Sequence, residues 1–183
     1  MDSILPQWLI QGIGYLLLIA IAGLPFIGVV MLIRSFIKHR KLKNPGSMKY
    51  YYSMIICILI MIASWILNIG WYRMFLTFLA VPVVHAVFFA VVSVKAISKF
   101  VLSDALKKYT LISHAAYASA YLLLPDGGDY GPMYVFFGLI RNNAVAHIAG
   151  IFSLAAFIVN IIYLTLTLAE VSKLKQCKGP ELQ

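Results

Sequence analysis

Charge is scarce in this sequence. Only 11% of its 183 residues are Asp, Glu, Lys or Arg, and just six are acidic. A soluble domain carries about one quarter charged residues, so a soluble globular domain, a disordered chain and a nucleic-acid-binding module are all excluded. Cysteine is nearly absent too. Cys57 lies inside an apolar run and Cys177 in a Lys-rich tail. Those positions imply different depths, whereas a disulfide needs Cα atoms within about 7 Å. There is no CxxC and no Cys/His cluster, so neither a zinc site nor a thioredoxin-like motif is present. HExxH, GxSxG and P-loop signatures are missing, as are paired carboxylates inside an apolar run. Ser64, Ser93, Ser113, Ser119 and Ser153 lie in or near apolar runs, but no spacing ties one of them to a histidine as a nucleophile. The balance leans against an enzyme.

What the chain has in abundance is apolar sequence, at 62%. Five runs stand out, over residues 9–33, 51–69, 74–94, 109–124 and 144–168. A membrane-spanning helix needs about 20 apolar residues, and in hydrocarbon the backbone must satisfy its own hydrogen bonds. The expectation is an all-α integral membrane protein, a polytopic bundle of five transmembrane helices in one membrane domain covering residues 1–183. A cleaved signal peptide is not expected, because Met1-Asp2-Ser3 lacks a basic n-region and the first run continues too long. Pro25 and Pro82 are expected to kink their helices.

The cations orient this bundle. With five crossings, the segments 34–50, 95–108 and 169–183 share one side and hold 13 of the 15 Lys and Arg residues. The other side has only Arg73 and Arg141. The positive-inside rule then puts the N-terminus outside and the C-terminus in the cytoplasm, in a plasma or inner membrane. Trp8, Trp71, Tyr72 and Tyr130 fall near the expected outer interface. The basic stretch 34–49 serves either as a topology determinant or as an anionic-lipid site. The linker 95–108 extends the third span or forms a short interfacial helix.

Between the fourth and fifth runs lies an outer loop, 125–143, dense in chain breakers. It contains Asp126, Asp129 and Arg141 around the apolar patch 133–140, which is too short to cross. Two readings stand: four spans plus a re-entrant segment, or a loop that hugs the bundle with Arg141 paired to Asp126 or Asp129. Two Gly-spaced aspartates do not make a calcium loop.

The candidate functional residues are His85, His114 and His147 in the spans, with Asp126, Asp129 and Arg141 in the loop. An ionisable group in a membrane is costly and is a functional candidate by default. Histidine also hydrogen-bonds between helices, relays protons and ligates haem iron. Only His85 and His114 approach a common depth, and helix geometry leaves a mismatch of about 6 Å between them. No cofactor is therefore expected, with haem the one to test. Asn68 and Asn160 are expected to hydrogen-bond between helices. Small residues on the fourth run (Ser113, Ala115, Ala116, Ala118, Ser119, Ala120) and the fifth (Ala146, Ala149, Gly150, Ser153) imply close helix packing, in the bundle or at a protein partner or homo-oligomer contact.

Three functions fit. The first is a non-enzymatic membrane protein acting through protein partners in the bilayer, as an accessory subunit or an immunity or exclusion-type factor. The second is a small transporter or channel component using the 125–143 segment and the histidines. The third is a haem-binding redox protein.

Overall fold

The computed structural model describes residues 45–68, 70–98, 103–127 and 131–176. The first expected span (9–33) with Pro25, the basic residues before 45, Asp129 and the end of the tail with Cys177 lie outside the described residues. Helix dominates. In chain order the elements are α1 (Pro45–Leu67), α2 (Trp71–Phe78), α3 (Val81–Ile97), α4 (Asp104–Leu122), β1 (Tyr134–Val135), β2 (Ile140–Arg141) and α5 (Asn143–Gln176). Met48–Leu67 and Asn143–Leu174 are each long and apolar enough to cross a membrane, and α2 with α3 makes a third such unit if the broken pair is one span.

Several helix boundaries have a local cause. Pro45 opens α1, where its fixed φ suits the first turn and its missing N–H would have been unpaired anyway. The expected third span is broken, because Pro82 has no N–H and its ring blocks the carbonyl four residues back. The chain departs from helix at Leu79 and Ala80, and Ala80 turns left-handed at φ 55°. α2 and α3 consequently meet at 68°. The expected kink at Pro82 is thus a full break that begins three residues earlier.

α4 opens on Ser103, whose Oγ accepts the Leu106 N–H at 3.4 Å, a standard way to satisfy a first-turn donor. Lys107 bonds Asp104 at 2.6 Å in that turn. Of the linker 95–108, residues 95–97 end α3 and residues 104–108 begin α4, while 99–102 lie outside the described residues. α5 opens on Asn142, whose side chain accepts the Val145 N–H at 3.2 Å. It then runs 34 residues, about 51 Å, well beyond a bilayer core of about 30 Å. The tail expected to begin at 169 is a helical continuation through Gln176.

α4 is the helix enclosed by the others, packed on α1, α3 and α5. Its buried face is Leu106, Thr110, Ser113, His114, Ala116, Tyr117, Ala120 and Tyr121. A helix surrounded by protein rather than lipid has no need to be apolar all round, which explains why the fourth run is the most polar. The small residues meet here: Ser153 of α5 donates to the Ala120 carbonyl at 2.7 Å, and a side chain on Gly150 would lie 3.2 Å from Pro125. At one end of the bundle Ala96, Leu106 and Val171 close the core. At the other, Val135, Ala146 and Ala149 do so, with Leu123, Met133 and Phe136 against them.

The patch 133–140 forms no helix. It folds as a hairpin, Tyr134 opposite Arg141 and Val135 opposite Ile140. Phe136, Phe137 and Gly138 in its loop all have positive φ. Val135 is wholly buried against α5 while Leu139 is 81% exposed, so the segment lies on the helix ends with one side inward.

Candidate functional site

A column of buried polar side chains runs between the helices, built by α4 and the three helices around it. His85, on α3, is its centre. Its Nδ1 lies 2.8 Å from the Tyr121 hydroxyl and its Nε2 lies 2.8 Å from Asn160 Oδ1. Asn160 Nδ2 donates to the Ser113 carbonyl at 2.7 Å and to Ser113 Oγ at 3.1 Å. A backbone carbonyl only accepts, so the amide nitrogen must face Ser113 and the amide oxygen must face His85. For the neutral ring that fixes the proton on Nε2, leaving Nδ1 to accept from Tyr121. The network joins α3, α4 and α5, and Tyr117, Tyr121 and Phe157 crowd the ring.

His114 holds a second network. Its Nδ1 lies 3.0 Å from Ser53 Oγ on α1 and its Nε2 lies 3.1 Å from Ser93 Oγ on α3. Cys57 Sγ donates to the His114 carbonyl at 3.3 Å. Phe89 and Tyr117, stacked at 3.9 Å, separate the two histidines. All four ring nitrogens are engaged inside the bundle, so iron ligation by either histidine would first require a hydrogen bond to break. No group of three potential metal ligands occurs among the described residues.

Toward the hairpin end the column passes into a buried ion pair. Ser64 Oγ donates to the Tyr121 carbonyl at 2.7 Å and receives Arg73 Nη2 at 2.9 Å. Arg73 Nη2 also reaches the Leu124 carbonyl at 2.9 Å, and Nη1 meets Asp126 Oδ2 at 3.1 Å. Both side chains are at most 1% exposed. Asp126 also caps α2 from across the bundle. It accepts the N–H groups of Tyr72 at 3.1 Å and Arg73 at 3.2 Å, beside that of Gly127 at 2.8 Å. A carboxylate at a helix N-terminus satisfies orphan donors and meets the positive end of the dipole. The fit demands glycine at position 70, because a Cβ there would overlap Asp126 Oδ1 and lie 2.8 Å from the Gly127 carbonyl.

The sequence candidates therefore divide. His85 and His114 are in the column, and Asp126 ends it. His147 is exposed on the first turns of α5, away from both networks. Arg141 is exposed on β2 and lines a shallow cavity of about 340 Å³ with Ile66, Leu67, Tyr134 and Gly138. Of the two expected partners of Arg141, Asp126 is taken instead by Arg73, which approaches from the N-terminus of α2, and Asp129 lies outside the described residues. Asn160 bridges helices as expected. Asn68 does not: its amide is fully buried with no partner for either atom among the described residues.

Sequence reasoning missed Arg73, Ser64, Tyr121 and Ser53 as members of the site. Two signals were present. Ser53, Cys57, Ser64 and Asn68 recur at spacings of four and seven, one face of α1. His114, Tyr117 and Tyr121, at spacings of three and four, share one face of α4.

No protein-family model, curated protein or solved structure matches this chain.

Proposed function

We propose that this protein is a multi-pass membrane protein of five spans, its N-terminus outside and its C-terminus in the cytoplasm, in a plasma or inner membrane. It serves there as a small transporter or channel component. The orientation is supported by the charge asymmetry of the sequence. Cysteines placed singly at Asn44, Asp129 and Ser172 test it: Asp129 should label from the opposite side to the other two, and Asp129 labelling with Ser172 refutes it.

The transport reading is carried by one observation, the His85 network that links α3, α4 and α5 by hydrogen bonds at both ring nitrogens. An intramembrane histidine with hydroxyl and amide neighbours is a group that can take and pass a proton. Protons are therefore the first probe. In vesicles holding a pH-sensitive dye under an imposed potential, the protein should raise proton flux above that of empty vesicles, and His85→Gln should abolish the increment. Flux equal to that of empty vesicles, or unchanged in His85→Gln, refutes it.

A second reading is favoured by the saturation of the same network. With every ring nitrogen of His85 and His114 partnered internally, the polar groups hold the bundle together. The protein then acts through partners in the bilayer, as an accessory subunit or an immunity or exclusion-type factor. Under that reading His85→Gln lowers stability and leaves flux unaffected.

A further inference from the structure

α2 is inside out. Trp71, Met74, Phe75 and Phe78 occupy i, i+3, i+4 and i+7, one face of the helix, and all four are between 54% and 71% exposed. Tyr72 and Leu79 beside them are more than half exposed. The opposite face carries Arg73, which is 1% exposed, and Thr77, whose Oγ1 receives Trp65 Nε1 at 2.7 Å. In water this helix would have turned the other way, since burying an arginine and exposing two phenylalanines and a tryptophan is unfavourable on both counts.

The geometry points to a lipid-docked helix: α2 lies in the membrane–water interface, with its Trp71–Phe78 stripe sunk into the boundary between headgroups and acyl chains of phospholipid. Three observations identify lipid as the occupant. The next helix in the chain, α3, also exposes apolar residues, Val84, Val87, Phe88 and Val91, and together with α2 it makes a candidate span. The 68° bend turns α2 away from the α3 axis. If α3 stands upright, its 17 residues rise about 25 Å and the eight residues of α2 add only about 4 to 5 Å of depth. That sum closely matches a core of about 30 Å, so α2 travels along the interface rather than through the bilayer. Finally, the stripe begins with Trp71 next to Tyr72, side chains that settle at headgroup level. The Arg73–Asp126 pair holds the polar face inward, and the break at Ala80 lets the stripe lie flat.

The inference rests on the reading of the chain as a membrane protein, and its failure is separable from failure of that reading. Flotation of the reconstituted protein with phosphatidylcholine vesicles tests membrane residence. Emission from Trp71 in the W8F/W65F variant tests α2 alone. Phosphatidylcholine brominated in the upper part of its chains should quench Trp71 roughly twice as strongly as lipid brominated near the chain ends, as a ring at headgroup level requires. Aqueous iodide should quench it little. Dominant quenching by iodide, stronger quenching by chain-end bromine, or no quenching by either lipid overturns the inference, since these place the ring in water, deep in a span, or against protein. W65F removes a hydrogen bond to Thr77, so a spin label at Phe78 in the C57S/C177S background gives an independent readout. The label should be more accessible to oxygen than to an aqueous nickel chelate, and the reverse order overturns the inference.

Discussion

The most informative perturbation is Asp126→Asn, which keeps the shape of the side chain and removes its charge. In the native protein this carboxylate receives four donors: Arg73 Nη1 and the backbone N–H groups of Tyr72, Arg73 and Gly127. The asparagine offers one acceptor oxygen and turns an NH₂ group toward donors. Arg73, 1% exposed, is then left charged with only Ser64 and the Leu124 carbonyl as acceptors. Breaking a buried pair from one side costs about 3–5 kcal/mol, roughly a hundredfold to a few thousandfold in the folding equilibrium. Arg73→Met removes the other partner, but the carboxylate keeps three backbone donors, so the loss should be smaller, on the order of 2 kcal/mol. The double variant should recover part of the sum of the two single losses, because it leaves no unpaired buried charge. The assay is reversible unfolding in mixed micelles followed by tryptophan emission. Trp65 reports directly, lying 5.6 Å from the Arg73 guanidinium and 5.8 Å from the Tyr121 ring. A loss below about 1 kcal/mol for Asp126→Asn, or losses that add in the double variant, would refute the reasoning.

The remaining predictions use the same assay. Gly70→Ala should cost about 1–3 kcal/mol, because the new methyl overlaps the Asp126 carboxylate; a neutral result would show that the cap is slack. Asn160→Leu should cost about 2–3 kcal/mol by stranding His85 Nε2 and Ser113, and Tyr121→Phe less, since one partner is lost instead of two. Asn68→Leu should raise stability by about 1–2 kcal/mol, because neither amide atom has a partner to lose among the described residues; destabilisation would mean that Asn68 binds something. Asp104 is fully exposed, and Lys107 holds its carboxyl below the usual carboxylate range through a hydrogen bond. That contribution is present above the ordinary carboxylate pKa and fades as pH falls through the lowered one. Screening by water leaves Asp104→Asn without a measurable change in the unfolding midpoint.

Apolar runs and their length were legible in the sequence because bilayer thickness sets how many consecutive apolar residues a span needs. α1 accordingly covers residues 51–67 of the second run, and α5 covers 144–168. The breaker cluster at 125–132 marked a loop for the same kind of local reason, since Pro and Gly act on their own backbone. Pro82 was legible as a disturbance, but its outcome was not: whether a proline bends a helix or ends it depends on what the preceding turn can pack against. Here Trp65 and Asp126 hold α2 at its own angle.

The histidines were legible as candidates because a titratable group in hydrocarbon stands out by cost alone. Their partners were not. Tyr121, Asn160 and Ser113 lie 28 to 75 residues from His85 in the chain, and no spacing rule reaches that far. The same limit misdirected the aspartate. By sequence, Asp126 has Arg141 for a neighbour across one loop, whereas the fold delivers Arg73 from 53 residues away. Composition by itself determined that this chain folds as helices fit for a bilayer, because burial of apolar surface and backbone hydrogen bonding are local demands. Only the tertiary structure decided which polar groups meet inside, because a buried charge or amide takes whichever partner the packing of distant helices brings within 3 Å.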